Sequence, residues 1–251
     1  MESSELHNEE IWVNLEKWKA KPLLQLIYDD FYHLIAQKVN QEIDGKIVEL
    51  GSGIGNLKKS IKNCITTDLF PNPWIDQTEN AYRLSFENNT VSNLILFDVF
   101  HHLQFPEEAF NEFNRVLKPG GRIIIFDPAI SALGLLIYGA FHHEPVSCFK
   151  EIKWQAPTNF DLINSPYYAA QGNASRIFNY KKKKYAKYLN EHWKIIQVKK
   201  MSAFSYVASG GYKKKQLYPT KWYSIMKKFD KILDIFPILF STRILIVLEK
   251  K

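Results

Sequence analysis

Cysteine is scarce in this chain of 251 residues, which contains only Cys64 and Cys148. The two cysteines are far apart and lack metal-ligand spacing, so the sequence indicates neither a disulfide framework nor a cysteine-bound metal. We therefore expect a protein of a reducing compartment, the cytoplasm. The amino terminus is acidic at Glu2 and Glu5 and no apolar segment follows it, which excludes a signal peptide.

Long apolar segments and internal repeats are also missing. The most apolar stretch, residues 129–141, has thirteen residues without charge, whereas about 20 are needed to span a bilayer. We expect this stretch to form either a buried cap helix, or an apolar lid or membrane-facing helix over a hydrophobic ligand.

The chain carries a formal net charge of +7, and much of it lies in two lysine runs, Lys181–Lys184 and Lys213–Lys215. The simplest interpretation is a solvated surface. A second is a landing surface for anionic lipid head groups or for a diphosphate-bearing substrate.

The apolar pattern predicts an α/β fold. Helical periodicity at residues 11–19 and 22–39 is followed by short apolar runs at 47–48, 94–97 and 123–126. Such runs, separated by helical stretches, are typical of a parallel sheet in a doubly wound α/β protein. One predicted helix begins at Pro106 and carries Phe110, Phe113 and Leu117 on one face. Later strands are expected from Trp193 and over Arg243–Leu248, with a helix at Tyr218–Leu233 between them.

A glycine-rich loop follows the first apolar run. The strand ends near the carboxylate Glu49, and Gly51, Gly53 and Gly55 occupy alternate positions, with Ser52 between the first two. A glycine turn lets a bulky ligand approach the backbone because no Cβ intervenes. The nearby carboxylate favours a ligand that carries a positive ammonium group over a diphosphate.

Asp68 ends a second run, Cys64–Thr67. A carboxylate at the tip of a strand can accept hydrogen bonds from both hydroxyls of a ribose. The glycine loop and Asp68 together predict a nucleoside-containing ligand at the carboxyl ends of parallel strands.

Three further motifs follow in order, at Leu84–Val91, Phe97–Leu103 and Arg115–Gly121. With them, residues 46–127 resemble the class I S-adenosylmethionine-dependent methyltransferase family, whose small-molecule branch includes quinone, sterol and polyketide methylases. The resemblance implies S-adenosyl-L-methionine as cofactor. It also implies a Rossmann-like seven-stranded sheet of order 3-2-1-4-5-7-6 with the last strand antiparallel.

The resemblance assigns expected roles to single residues. The loop from Gly51 to Gly55 would line the methionine part of the cofactor, Glu49 would orient that loop and hold the ammonium, and Asp68 would bind the ribose. The other expected cofactor contacts are Leu69, Asn80 and Ala81 near the adenine, and Phe97 and Asp98 on the opposite side. The chain departs from the family pattern at Asn80, Ser85 and Ser92, which replace a usual acid, a common proline and a usual aspartate.

The same interpretation divides a single methyltransferase domain of residues 1–251 into four parts. They are N-terminal helices (1–43), a cofactor-binding core (44–128), a cap insertion (129–191), and C-terminal strands and helix (192–251).

Histidines are the candidate catalytic residues, because a base that titrates near neutral pH assists transfer to an oxygen or nitrogen nucleophile. We predict catalytic roles for His101, His142 and His143. His102 resembles a structural histidine of the family, whereas His101 is expected to face the substrate. No third ligand with convincing spacing accompanies these histidines, so no metal is expected.

The expected acceptor is a small molecule, a lipid-linked molecule or a glycan, with peripheral contact at the inner face of a membrane as a further expectation. Residues 97–100 read Phe-Asp-Val-Phe where base-methylating relatives have Asn/Asp-Pro-Pro-aromatic, so no nucleic-acid partner is expected. Nucleic-acid or protein methylation and a catalytically silent nucleoside-binding subunit remain the alternatives. A dehydrogenase is disfavoured because Asn56 replaces the third glycine of the dinucleotide fingerprint. The oligomeric state is left open.

Overall fold

A sheet of seven strands organises the protein, whose computed structural model describes residues 2–140, 151–162, 168–178 and 185–251. The strands are β1 (Lys46–Leu50), β2 (Cys64–Asp68), β3 (Gln77–Thr78), β4 (Val91–Phe97), β5 (Leu117–Pro128), β6 (Trp193–Met201) and β7 (Arg243–Lys250). The helices are α1 (Glu2–Ala20), α2 (Pro22–Ala36), α3 (Pro106–Val116), α4 (Ala132–Ala140), α5 (Asn173–Ile177), α6 (Ala186–His192), α7 (Phe204–Ala208), α8 (Tyr223–Leu233) and α9 (Pro237–Phe240). Single 3₁₀ turns occur at Asn56–Lys59, Phe100–His102 and Thr220–Trp222.

The strand order is β3-β2-β1-β4-β5-β7-β6. Strands β1 to β5 pair in parallel, and β7 runs antiparallel to both of its neighbours, β5 and β6. The predicted Rossmann-like order and the antiparallel last strand are therefore confirmed. Parallel strands place their carboxyl ends at one edge, and β7 begins at that same edge.

The two faces of the sheet are covered differently, because successive side chains of a strand point to opposite faces. On one face, Ile95, Phe97 and Phe126 pack against α2. On the other face, Leu94 and Ile125 belong to a cluster with Phe110 and Phe113 of α3. Both faces of the central strands are fully buried, which explains why these strands appear in the sequence as unbroken apolar runs.

Helix α2 begins with Pro22 in its first turn. Backbone N–H groups at this position have no intrahelical acceptor, so proline, which lacks an N–H, loses no hydrogen bond there. Its buried face is partly aromatic, since Tyr28 and Tyr32 are buried, whereas Leu26 is 43% exposed.

The connections between strands contain less helix than predicted. The glycine loop continues into the 3₁₀ turn Asn56–Lys59 rather than into an α-helix, and no helix connects β2, β3 and β4. Helix α3 ends at Val116, so Leu117 is the first residue of β5 and not part of the helix. The extended backbone at Leu117 lets it pair with Val91, and the ladder then shifts register before Arg122 pairs with Asn93.

The predicted cap insertion begins where β5 ends. Its described part includes α4, which packs against α9, and the short helices α5 and α6. Lys181–Lys184 lie outside the described residues. Among the residues that the structure describes, no helix is long and apolar enough to cross a membrane. The division of the chain into four parts stays a prediction.

Candidate functional site

Backbone N–H groups of the glycine loop donate hydrogen bonds to the neighbouring strand β2. The Ser52 N–H donates to the Thr67 carbonyl at 2.8 Å, and the Gly53 N–H donates to Oδ2 of Asp68 at 3.0 Å. Gly51, Gly53 and Gly55 all have positive φ, between 53° and 67°. Side-chain-bearing residues rarely adopt this left-handed conformation, so the loop shape requires glycine.

The three glycines differ in the space that surrounds them. A Cβ at Gly51 would lie 2.4 Å from Cγ2 of Val99, and one at Gly55 would lie 2.5 Å from the Trp74 carbonyl oxygen. A Cβ at Gly53 would meet nothing within 4 Å. The loop is therefore packed at both ends and open at its middle, where a ligand can reach the backbone.

Glu49 is buried near the end of β1. Its Oε2 atom has no hydrogen-bond partner among the described residues. Burial raises the pKa of this carboxyl to about 8, because a charge is disfavoured away from water. A buried carboxylate oxygen without a partner is costly, and a cationic or hydrogen-bond-donating ligand group would satisfy it.

Asp68 ends β2 and is also buried. Its Oδ2 accepts from Gly53 N–H, and its Oδ1 accepts from the Leu69 N–H at 2.7 Å. Nε2 of His7 in α1 lies 3.2 Å from the same Oδ1. The hydrogen bond to Asp68 raises the pKa of His7 above its ordinary value, against the opposing effect of burial. No motif in the sequence identifies His7 as a residue of the site.

The segment expected beside the adenine lies next to Asp68. Strand β3 pairs with β2, and the Glu79 N–H donates to the Asp68 carbonyl at 2.9 Å. Asn80 follows, with its Oδ1 accepting from the Tyr82 N–H at 2.9 Å, and Ala81 packs against the core. Leu69 is half exposed. The structure thus groups these predicted contacts around the end of β2.

The side chains of Phe97 and Asp98, at the end of β4, have different surroundings. The Phe97 ring packs in the aromatic cluster with Tyr28, Tyr32 and Phe126, so its side chain lies in the core beneath α2. Asp98 has a left-handed φ of 56° and forms an ion pair with Arg243. Burial raises the pKa of Asp98, and Arg243 opposes that rise.

Arg243 is a buried cation that sequence analysis missed. It is the first residue of β7, and its guanidinium carbon lies 4.8 Å from the ring centre of Tyr206 and 5.8 Å from that of Phe31. The antiparallel direction of β7 brings it to the carboxyl edge of β4. Only this pairing, and no local pattern, identifies it.

His101 is held by a buried carboxylate. Its Nδ1 lies 2.9 Å from Oδ1 of Asp127, near the end of β5, and both side chains are almost fully buried. His102 is less buried, and its Nδ1 lies 2.9 Å from the Tyr168 carbonyl. His101 is thus the more buried of the pair, because the 3₁₀ turn after β4 places it against β5. That His101 faces the substrate stays a prediction.

The other two predicted catalytic residues, His142 and His143, lie outside the described residues. The structure therefore brings Glu49, the glycine loop, Asp68, Asp98 and the His101–Asp127 pair to one edge of the sheet. This arrangement offers an open backbone loop, several carboxylates and the imidazole of His101, which Asp127 orients.

Comparison with known proteins gives one family match. The sequence profile of a family described as a methyltransferase domain matches residues 48–125, the part of the chain from β1 through most of β5. No curated protein matches the sequence.

Solved structures show the same fold at low sequence identity. One is a geranyl diphosphate C-methyltransferase from Streptomyces coelicolor, crystallised with Mg²⁺, geranyl diphosphate and S-adenosyl-L-homocysteine. It has a TM-score of 0.55 and 9% identity over 89% of this chain and 79% of the other. Another is a SAM-dependent methyltransferase from Thermotoga maritima, with a TM-score of 0.52 and 13% identity over 96% of this chain and 99% of the other.

Proposed function

Since the chain belongs to the class I S-adenosylmethionine-dependent methyltransferase family, we propose that it transfers a methyl group to a small-molecule, lipid-linked or glycan acceptor. S-adenosyl-L-methionine, its cofactor, supplies the methyl group as an electrophile on a sulfonium.

The observation that carries the assignment of roles is the unpartnered Oε2 atom of Glu49, on the strand that leads into the glycine loop, whose middle is open at Gly53. The cofactor has a positive ammonium group, and a buried carboxylate is the group that would hold it. Asp68 lies on the next strand and would bind the ribose hydroxyls. Residues present at this edge therefore fit the cofactor in charge and in hydrogen-bonding capacity.

His101 is the proposed general base for an oxygen or nitrogen nucleophile. When its Nδ1 carries the proton and donates to Asp127, its Nε2 is the basic nitrogen. Asp127 would fix this tautomer and stabilise the imidazolium that forms as a proton is accepted. His142 and His143 keep their proposed roles near the acceptor.

The acceptor class is inferred from the elements at the same edge. Helix α4 is made entirely of uncharged residues and begins four residues after Pro128 ends β5. An apolar helix beside the site would exclude water from the reacting groups and would contact an apolar part of the acceptor. This favours a lipid-linked or otherwise hydrophobic acceptor over a free polar metabolite.

The test is an acceptor screen with isotope-labelled donor, in which pools of lipids, small hydrophobic molecules, glycans, protein and RNA are extracted separately. The proposal predicts label in a lipid or small-molecule fraction, lost in Asp127→Asn and retained in Asp44→Asn, whose carboxylate is exposed. Label only in protein or RNA would overturn the proposed acceptor class. Donor binding without transfer to any pool would favour a silent subunit.

A further inference from the structure

The last two helices expose a continuous set of large apolar side chains. No residue of α8 or α9 is fully buried, and Ile225 and Ile238 are 63% and 80% exposed. We call the set the α8–α9 face; it consists of Trp222, Ile225, Phe229, Ile232, Ile235, Phe236, Ile238 and Leu239, all exposed. From Trp222 to Ile232 its members recur at intervals of three and four residues, which places them along one side of the helix.

Hydrogen bonds on the opposite side of α8 fix this orientation. Asp230 accepts from the hydroxyl of Ser202 at 3.2 Å and also binds Ser205, while Asp234 accepts from the Ser202 N–H at 2.5 Å. At the start of α8, the Tyr223 hydroxyl donates to Asp30. Asp230 and Asp234 therefore face the protein, whereas Ile225 and Ile232 face away from it. Phe229 lies at the margin, since it is 41% exposed and its ring centre lies 5.8 Å from that of Phe204.

Lysines border the α8–α9 face. Lys221 and Lys228 immediately precede Trp222 and Phe229, so each lies beside the apolar stripe. Lys227 pairs with Asp30 at 2.6 Å, but Lys221, Lys228 and Lys231 form no ion pair with any described residue. The outward surface thus combines apolar side chains with uncompensated positive charge.

We propose that the α8–α9 face docks on the surface of an anionic lipid bilayer. An amphipathic helix with lysines on its polar side and bulky apolar residues on the other lies in the plane of such an interface. Exposed Trp222 suits the level of the head groups, where tryptophan and tyrosine concentrate, and Phe229 and Phe236 suit the apolar face of an interfacial helix. A protein partner whose surface carries charges of both signs would not explain why the α8–α9 face is bordered by lysines.

Docking would also orient the molecule. Helix α9 leads directly into β7, whose first residue, Arg243, lies at the carboxyl edge beside Asp98. The candidate site would therefore open close to the lipid, where a lipid-linked acceptor resides. This consequence rests on the proposed function, whereas the docking itself does not.

The experiment is co-sedimentation of the full chain with vesicles of phosphatidylcholine alone and of phosphatidylcholine with 30% phosphatidylglycerol, without donor or acceptor. We expect binding to the anionic vesicles that weakens with added salt. Ile232→Asp combined with Phe236→Asp should lower the partition coefficient at least tenfold. Lys221→Glu combined with Lys228→Glu should lower it by about tenfold or more, since each lysine near an anionic surface contributes about 1 kcal/mol.

The controls carry the same types of change elsewhere. Trp12→Asp alters an exposed aromatic residue of α1, and Lys38→Glu with Lys62→Glu makes the same charge change at the amino edge of the sheet. Both should bind as the wild type does. Equal binding to neutral and anionic vesicles, or no effect of either α8–α9 variant, would overturn the proposal. So would a stable dimer by light scattering that the Ile232 and Phe236 changes convert to a monomer.

Discussion

Nε2 of His7 lies 3.2 Å from Oδ1 of Asp68, so helix α1 contacts the carboxylate proposed to bind the cofactor ribose. The pKa of His7 is raised, first by its hydrogen bond to Asp68. A histidine with a raised folded pKa adds stability that is fully present below its unfolded pKa of about 6.5 and is lost as pH rises through the folded pKa.

We therefore predict that His7→Ala lowers the free energy of unfolding at pH 6 and has little effect at pH 9. The imidazole is one-third exposed, so solvent screening limits the loss to about 1 kcal/mol or less. Urea titrations at both pH values measure it. His33→Ala, at an exposed histidine that contacts no carboxylate among the described residues, is the control. An equal loss at pH 6 and pH 9 would contradict the ion pair.

Glu49 gives a second prediction, in which the substitution stabilises the protein and its effect appears at high pH. Its pKa is raised to about 8, so the buried carboxyl destabilises the fold increasingly as pH rises from about 4.5 towards 8. Glu49→Gln should raise the free energy of unfolding of the cofactor-free protein at pH 8, by about 1–4 kcal/mol.

The same substitution should weaken cofactor binding, because the amide cannot neutralise an ammonium group. Thermal unfolding with and without cofactor separates the two effects. We predict that Glu49→Gln melts at a higher temperature than the wild type when cofactor is absent. Added cofactor should raise its melting temperature less than it raises that of the wild type. A lower melting temperature without cofactor would mean that the ionised carboxylate is satisfied in the folded protein.

Local patterns in the sequence were sufficient to predict the α/β class and two carboxylates of the site, Glu49 and Asp68, whereas Asp98 was expected from the family resemblance. Glu49, Asp68 and Asp98 each end an apolar run, and the structure places all three at the carboxyl edge. Asp127 ends such a run too, after Phe126, and the same rule could have identified it. The order of the strands required the family resemblance, since adjacent runs do not specify which strands pair.

The residues that sequence analysis missed come from distant parts of the chain. Arg243 meets Asp98 only because β7 inserts antiparallel between β5 and β6, and His7 meets Asp68 only because α1 folds back over β2. The relative burial of His101 and His102 likewise depends on the 3₁₀ turn after β4, which neighbouring residues do not encode. Pairing between remote segments is set by tertiary packing rather than by local periodicity.

The His101–Asp127 pair predicts a specific kinetic change. Asp127→Asn should lower methyl transfer about 100-fold or more, the usual range for a general base, because the amide no longer selects the required tautomer. The dissociation constant for the cofactor should stay within about twofold. Single-turnover rates with labelled donor, measured beside His192→Gln as a histidine control outside the site, test this. Unchanged rates would mean that the His101–Asp127 pair has only a structural role in the core.

His142 and His143 remain predicted acceptor-side residues. Replacing both by alanine should lower methyl transfer and leave cofactor affinity unchanged, since the proposed cofactor contacts lie on β1, β2 and β4. Turnover and calorimetric affinity are measured on the same double variant. Unchanged turnover would give these histidines a structural role, and lost cofactor binding would mean that the cap closes on the donor.

The most direct test of the central claim is isothermal titration calorimetry with S-adenosyl-L-methionine and S-adenosyl-L-homocysteine. The account predicts that wild-type protein binds both. It also predicts that Asp68→Ala weakens binding by about 1–3 kcal/mol, as expected for lost charge-assisted hydrogen bonds, while Asp44→Ala binds as the wild type does. No measurable binding of either compound by the wild-type protein, or equal affinity in Asp68→Ala, would contradict it.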